Sequence, residues 1–363
     1  MSVRRVRSIV YFVIGVKAVV LSFGWVAFLL LSSQTAGRLI NIWARWDALA
    51  YINIAQEGYA SAGPNKWNIV FLPVYPLLMS LITPITRDSV LSGLVVSGIA
   101  SVLLGIAFHR LVVIDHTSRT ADLSVWFFFV YPTSYFLHIP YTESTFLLLA
   151  VSAFLAVRQD RWLLAGLFGA AACATRINGL ILCLALPIEV WSIWRQDRKF
   201  NFAWLWLGLV PVGFLVYLSI NYVTFGDPFA FMFAQREHWQ KFLTNPIPAL
   251  IGKFRGVIAE TRPTQMLEGA FELVFIAIGV FFTVVGWRSL RASYRVWMIA
   301  SMLLFVSTSF ILSVPRYTLT MFPMFIVMAV FFRKPVRLAV VSLLSILYLA
   351  LFTAGYVQGR WAF

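Results

Sequence analysis

Residues 69–86 read IVFLPVYPLLMSLITPIT, and the fold turns on whether this stretch crosses a membrane. It is apolar, yet it holds Pro73, Pro76 and Pro84. Proline removes a backbone donor and breaks an uninterrupted helix. Counting the stretch as a crossing inverts the sidedness of everything after it. The composition around it fixes the medium. The 363-residue chain is 61% hydrophobic and 12% charged, against about 45–50% and about 25% for a soluble chain. Mean hydropathy is +0.84. A soluble enzyme, a disordered chain and a coiled coil are excluded. The apolar residues come in runs of about twenty, the length of a membrane-crossing helix. They do not alternate every second position, which excludes a β-barrel.

Working outward, the apolar runs predict an all-α polytopic bundle of about eleven transmembrane helices. These lie at 8–31, 89–113, 121–138, 141–157, 162–175, 177–194, 202–223, 267–287, 294–313, 316–333 and 335–355. The opening MSVRRVR followed by 8–31 reads as a first retained span, too long for a signal-peptide core. Charge then decides 69–86. If it does not cross, the short connections on one side gather Arg4, Arg5, Arg7, Arg110, Arg119, Arg158, Arg161, Arg195, Arg198, Lys199, Arg288, Arg291, Arg295, Arg333, Lys334 and Arg337. These are more than half of the 29 Lys and Arg. Positive charge accumulates on the cytoplasmic side. The N-terminus is therefore expected in the cytoplasm, with 69–86 re-entrant or lying in the interface. The net charge of +15 becomes flanking charge rather than a nucleic-acid surface. Lys17, inside the first span, is read as snorkelling. Cys173 and Cys183 read as small packing residues. No internal repeat is visible, so residues 1–363 are expected to form a single unit.

This topology sorts the polar residues. The cytoplasmic connections VRQDR, WRQDRK, WRSLRASYR and FRKPVR read as stop signals. The outer side has two long loops, about 32–68 and about 224–266, and the short turns PYTES, TRING and SVPRY. Any active site belongs there. Residues 42–57 suit a short amphipathic helix, with Trp43, Trp46, Ala50 and Ile54 on one stripe. Asp47 and Tyr51 share a neighbouring face, and a carboxylate held there can take a proton from a hydroxyl. The plainer reading is an anchoring helix whose Asp47 pairs with Arg45 or a lipid headgroup. Arg176 and Arg316 sit near hydrocarbon depth, where an unpaired Arg costs about 2.5–3.5 kcal/mol on insertion scales. Their partners are either a substrate phosphate or Glu143, the latter giving a structural bridge. In 225–239, FGDPFAFMFAQREHW, the aromatic residues suit an interfacial lid or anchor. Glu189 and Glu272 lie at span edges and point to no function. No His pair has metal-ligand spacing on the outer side, so no metal site and no cofactor are signalled, with a divalent metal left open.

In order, the chain carries Arg45-Trp46-Asp47-Ala48 with Tyr51, Ile54, Ala55, Gly58 and Tyr59, then FLPVYPLL at 71–78, PYTES at 140–144, ATRING at 174–179, GDPFAF at 226–231 with Gln235, and Pro315-Arg316-Tyr317. Together these resemble the GPI mannosyltransferase 2 (PIG-V-like) family and its prokaryotic relatives, within the GT-C superfamily of membrane glycosyltransferases. The resemblance implies a GT-C bundle with juxtamembrane helices in the first outer loop. It also implies inverting transfer of mannose or a similar hexose from a polyprenyl-phosphate sugar, on the outer or lumenal face. Asp47 matches the family's essential acidic residue and takes the role of general base. Arg176 and Arg316 are expected to bind the donor phosphate. Arg45, Tyr51, Tyr75, Glu143, Asn178 and Tyr317 are the expected substrate-binding set. The acceptor is a lipid or a glycan; membrane lipids surround the protein, and no nucleic acid or protein partner is signalled. Phe71-Leu72-Pro73-Val74-Tyr75-Pro76 departs mildly from the family's two-aromatic form. The missing ER-retention tail favours a prokaryotic plasma membrane over the ER. The alternatives are a transporter or flippase, and a non-catalytic subunit that binds a lipid-linked sugar.

Overall fold

The computed structural model describes residues 1–32 and 37–363; residues 33–36, at the start of the expected first outer loop, lie outside the described part. The helices are α1 (Val3–Leu31), α2 (Asp47–Glu57), α3 (Val74–Thr86), α4 (Ser89–Val112), α5 (Ser118–Phe129), α6 (Glu143–Val157), α7 (Trp162–Cys173), α8 (Leu182–Asp197), α9 (Val212–Phe225), α10 (Ala230–Trp239), α11 (Pro246–Ala259), α12 (Pro263–Val285), α13 (Ala292–Val306), α14 (Val314–Thr318), α15 (Pro323–Phe331) and α16 (Pro335–Val357). Among the described residues the one bridge of β type pairs Leu243 with Thr308. Side chains set several helix starts. Ser2, Asp88 and Thr117 accept from the backbone N–H three residues on, and Pro263 and Pro335 open α12 and α16.

Among the described residues, six helical stretches are long and apolar enough to cross a membrane: α1, α4, 177–196, 202–225, α12 and α16. The chain is a multi-pass membrane protein. The expected count of about eleven full spans is not confirmed by the structure. Helices α6, α7 and α13 have 15, 12 and 15 residues. At 1.5 Å per residue they reach about 18–22 Å, short of the roughly 30 Å hydrocarbon core. The expected spans 121–138 and 316–333 are each broken into a helix and a shorter piece.

The missing height at one end is filled by α2 and α3. The Val74 N–H donates to the Ala174 carbonyl (3.1 Å), joining the start of α3 to the end of α7. The Tyr75 hydroxyl shares a hydrogen bond with Ser97 (2.9 Å), while Thr83 and Thr86 bond Ser92. Helix α3 therefore doubles back along the first half of α4. Its 13 residues span about 20 Å, too short for a continuous crossing.

Between α5 and α6 the chain leaves helical form while buried. Irregular backbone at membrane depth must find its hydrogen bonds inside the protein. Here the carbonyls of Leu137, His138 and Tyr141 accept from Ser101 (2.5 Å), Lys17 (2.7 Å) and Ser97 (3.3 Å). Lys17 also donates to Leu94 O (2.8 Å). It turns into the bundle instead of snorkelling, because two backbone carbonyls lie within its reach. Gly93 lets this segment lie flat on α4: a Cβ there would stand 2.6 Å from Pro140 Cβ.

Candidate active site

The turns that close the short helices meet at one end of the bundle. Asp47 is the first residue of α2, Glu143 the first of α6, Arg316 lies in α14, and Arg176 precedes the 177–181 turn. Four side chains separated by up to 269 positions form one hydrogen-bonded chain. Arg316 Nη1 donates to Asp47 Oδ2 at 2.7 Å, and Arg316 Nε to Glu143 Oε1 at 2.5 Å. Arg176 Nη1 donates to the same Glu143 oxygen at 2.6 Å and to Thr142 Oγ1 at 2.7 Å. The bland alternative of an Arg176–Glu143 bridge is thus present, and it is one link of a larger set.

Burial grades these groups. The Glu143 side chain is 0% exposed and that of Arg316 is 7%, whereas the Asp47 carboxylate keeps 30% of its surface. Two buried guanidiniums on one buried carboxylate compensate the cost of desolvating each. Asp47 Oδ1 takes part in no hydrogen bond among the described residues. One oxygen of Asp47 is therefore oriented by Arg316 while the other is open.

The backbone before Asp47 is strained. Trp46 sits at φ 48° and ψ −120°, a region that side chains disfavour. Its neighbours hold it there. Tyr141 and Tyr356 donate to the Arg45 carbonyl (3.1 and 3.5 Å), Tyr356 also reaches Trp43 O (3.0 Å), and the Trp46 ring packs edge-on against Tyr356 and Trp361. The Arg316 guanidinium lies over the rings of Tyr141 (4.6 Å) and Phe136 (4.9 Å). Aromatic faces attract a cation without consuming its N–H donors.

The remaining expected residues divide. The Tyr51 hydroxyl is 3.5 Å from Thr142 Oγ1, beside the cluster, and the Tyr317 ring faces Arg176 at 5.8 Å. Asn178 is buried in the 177–181 turn with its Nδ2 unpartnered among the described residues. That turn needs Gly179, where a Cβ would meet backbone atoms of Ala172 and Cys173 at 2.6 Å. Tyr75 does not line the site. It is fully buried, spends its hydroxyl on Ser97 and braces Tyr51 edge-on at 5.3 Å. Arg45 reaches Val357 O (2.6 Å). Two residues are given no role in the sequence reading. Thr142 stood unremarked inside PYTES. Glu272, on α12, accepts from the N–H groups of Ser313 and Val314 at 2.7 Å each. It pins the turn that carries Arg316, in which Ser313 adopts φ 69°.

Residues 19–196 match the family model described as Mannosyltransferase (PIG-V), which takes in Asp47, Glu143 and Arg176. The chain resembles the PIG-V mannosyltransferases. The rat (Rattus norvegicus) GPI alpha-1,6-mannosyltransferase 2 is 31% identical over 159 residues, 41% of this chain and 32% of the rat protein. GPI mannosyltransferase 2 of Yarrowia lipolytica is 22% identical over 57% of this chain and 55% of its own. The chain thus aligns with about a third to a half of these relatives' lengths. They are eukaryotic, so the expected prokaryotic plasma membrane gains no support from them. Among solved structures, ArnT from Cupriavidus metallidurans bound to undecaprenyl phosphate superposes with a TM-score of 0.55 at 16% identity, over 92% of this chain and 62% of ArnT. The apo oligosaccharyltransferase of Archaeoglobus fulgidus gives 0.51 at 12% identity, over 96% and 56%. The chain shares the fold of these two proteins.

Proposed function

We propose that this protein is an inverting glycosyltransferase that moves mannose or a similar hexose from a polyprenyl-phosphate sugar to a hydroxyl of a lipid-linked or glycan acceptor. The observation that carries the reading is Asp47, with one oxygen held by Arg316 and the other open and part-exposed. In the proposed step, Asp47 takes the acceptor's hydroxyl proton as that hydroxyl oxygen bonds to the anomeric carbon. The carbon's bond to the phosphate oxygen breaks on the opposite face, and the electron pair leaves with the polyprenyl phosphate. Arg176 and Arg316 offer their remaining N–H donors to the charge that develops there. Glu143 fixes both guanidiniums at one point, so they need no reorganisation as charge moves. The PIG-V resemblance supports the mannosyl reading, and the undecaprenyl phosphate bound to ArnT supports a lipid-linked donor. The concentration of basic residues at the far end supports a cytoplasmic N-terminus and a site on the outer or lumenal face.

The test is transfer of radiolabelled mannose from polyprenyl-phosphate mannose in membranes holding wild type or Asp47→Asn at equal protein levels. Label in a new lipid or glycan that depends on Asp47 supports the reading, and the product identifies the acceptor. Equal label in both removes Asp47 as the base.

A further inference from the structure

The four-ion cluster balances itself, with Arg176 and Arg316 against Asp47 and Glu143. A site that receives a phosphate ester needs a further positive charge. We propose that Lys241 supplies it, as a third cationic ligand of the phosphate ester beside Arg176 and Arg316; this rests on the glycosyltransferase reading and deepens it.

Three observations place Lys241 there. Its Nζ lies 5.4 Å from the centre of the Tyr317 ring and 5.7 Å from that of Phe310. The Arg176 guanidinium lies over the same Tyr317 ring at 5.8 Å. Among the described residues no carboxylate stands within ion-pair distance of Lys241, and the further carboxylate at this turn, Glu272, has both oxygens on backbone N–H groups.

The placement is built rather than incidental. Residues 240–244 are strapped to 307–309. Thr244 N–H donates to Ser307 O (3.0 Å), and Ser309 N–H to Phe242 O (2.8 Å). The Ser309 hydroxyl donates to Gln240 O (2.8 Å) and accepts from Phe242 N–H (3.2 Å). Leu243 and Thr308 form the isolated bridge at the centre of the strap. Four hydrogen bonds thus carry a lysine from the second outer loop to the turn that leads into Arg316. Two ring contacts, worth about 0.5–1 kcal/mol each at an exposed site, steer the ammonium without neutralising it. A lysine is a compact charge on a flexible stem with three donors, suited to a phosphate that arrives and leaves.

The experiment uses the full chain in lipid nanodiscs as wild type, Lys241→Met, Lys241→Gln and Lys241→Arg. Binding of polyprenyl phosphate and the donor KM are measured at several phosphatidylglycerol contents. Loss of one charge-assisted contact predicts about 10-fold weaker polyprenyl phosphate binding in the Met and Gln variants. Donor KM should rise in parallel, melting temperature should hold, and Arg should restore most of the affinity. Equal affinity in wild type and the neutral variants overturns the proposal. A loss that tracks phosphatidylglycerol content overturns it in favour of bulk headgroups as the anion. Absence of polyprenyl phosphate binding in wild type overturns both Lys241 and the donor reading. Lysine-dependent binding without mannose transfer leaves Lys241 in place and sinks the mannosyltransferase reading alone.

Discussion

The bundle carries two charge clusters of the same stoichiometry, one at each end. At one end are Asp47, Glu143, Arg176 and Arg316; at the other are Asp115, Glu189, Arg158 and Arg291. In the second cluster Arg158 grips Asp115 through both nitrogens, Nη1 to Oδ2 at 2.6 Å and Nη2 to Oδ1 at 2.9 Å. Arg291 Nη2 holds Glu189 Oε1 at 2.5 Å, and the Ser293 hydroxyl donates to Oε2 at 2.6 Å. Every acidic oxygen there has an ion-pair or hydroxyl partner, although Glu189 Oε1, like Glu143 Oε2 at the first end, is buried without a hydrogen bond among the described residues. In the first cluster Asp47 keeps Oδ1 open, and Glu143 Oε2 is buried without a partner among the described residues. Charge count does not separate the two ends. The part-exposed, unbonded Oδ1 of Asp47 does, together with the strained Trp46 backbone and the aromatic rings over Arg316. Closed valence staples helices together, and open valence waits for a ligand.

The sharpest way to break this contrast is to exchange one acid at each end for its amide. Asp47→Asn should cut transfer about 10²–10⁴-fold, the range of a lost general base, with little change in melting temperature. Asp115→Asn should lower the melting temperature and leave transfer within about two-fold, because its side chain only joins the α4–α5 connection to Arg158 and Arg291. Transfer assays and thermal melts on the same preparations check both. Comparable activity losses would show that the ends do not differ in kind.

Next in size is Arg316→Lys. Lysine keeps the charge but lacks the fork that reaches Asp47 and Glu143 from two different nitrogens. The expected loss in kcat is about 10²–10³-fold, as for removal of one preorganised donor. If Lys supports near-normal kcat, charge alone is what the site needs.

Glu272→Gln probes positioning from behind. An amide can accept through one oxygen only, so one of the two N–H groups it holds is abandoned. A charge-assisted bond is worth about 1.5–3 kcal/mol. Because Arg316 follows Val314 by two residues, kcat should fall by about 10-fold while the apparent affinity for the acceptor holds. A loss confined to melting temperature would make Glu272 purely structural.

How much of this was legible in the sequence follows from where each signal resides. Asp47, Glu143, Arg176 and Arg316 each sit in a short motif at a hydrophobic boundary, and a charge at hydrocarbon depth announces itself. The broken helices did not. The buried 130–142 segment adjoins apolar runs on both sides, and its carbonyls are satisfied by Lys17, Ser97 and Ser101 from remote helices. Glu272 looked like an ordinary span-edge carboxylate, because its partners are backbone N–H groups 41 and 42 positions away. The strap that places Lys241 pairs residues more than 60 positions apart, with no local periodicity to reveal it. Sequence exposes charges; it hides the backbone groups that aim them.

The smallest expected effect concerns acid stability at the closed end. Burial raises the pKa of Asp115, but hydrogen bonds and charge from Arg158 outweigh it, with Arg291 adding to them, and the net direction is downward. A carboxyl whose folded pKa is depressed contributes stability that is full above the unfolded value of about 3.9. That contribution is lost as pH falls through the folded value. The melting temperatures of wild type and Asp115→Asn should therefore differ by a constant amount above about pH 5 and converge as pH drops below about 4. The remaining carboxylates titrate in both proteins and cancel in the difference. A gap that stays constant down to about pH 3 would show that Asp115 gains nothing from its ionised partners, and the closed end would then owe its cohesion to Glu189 and Ser293.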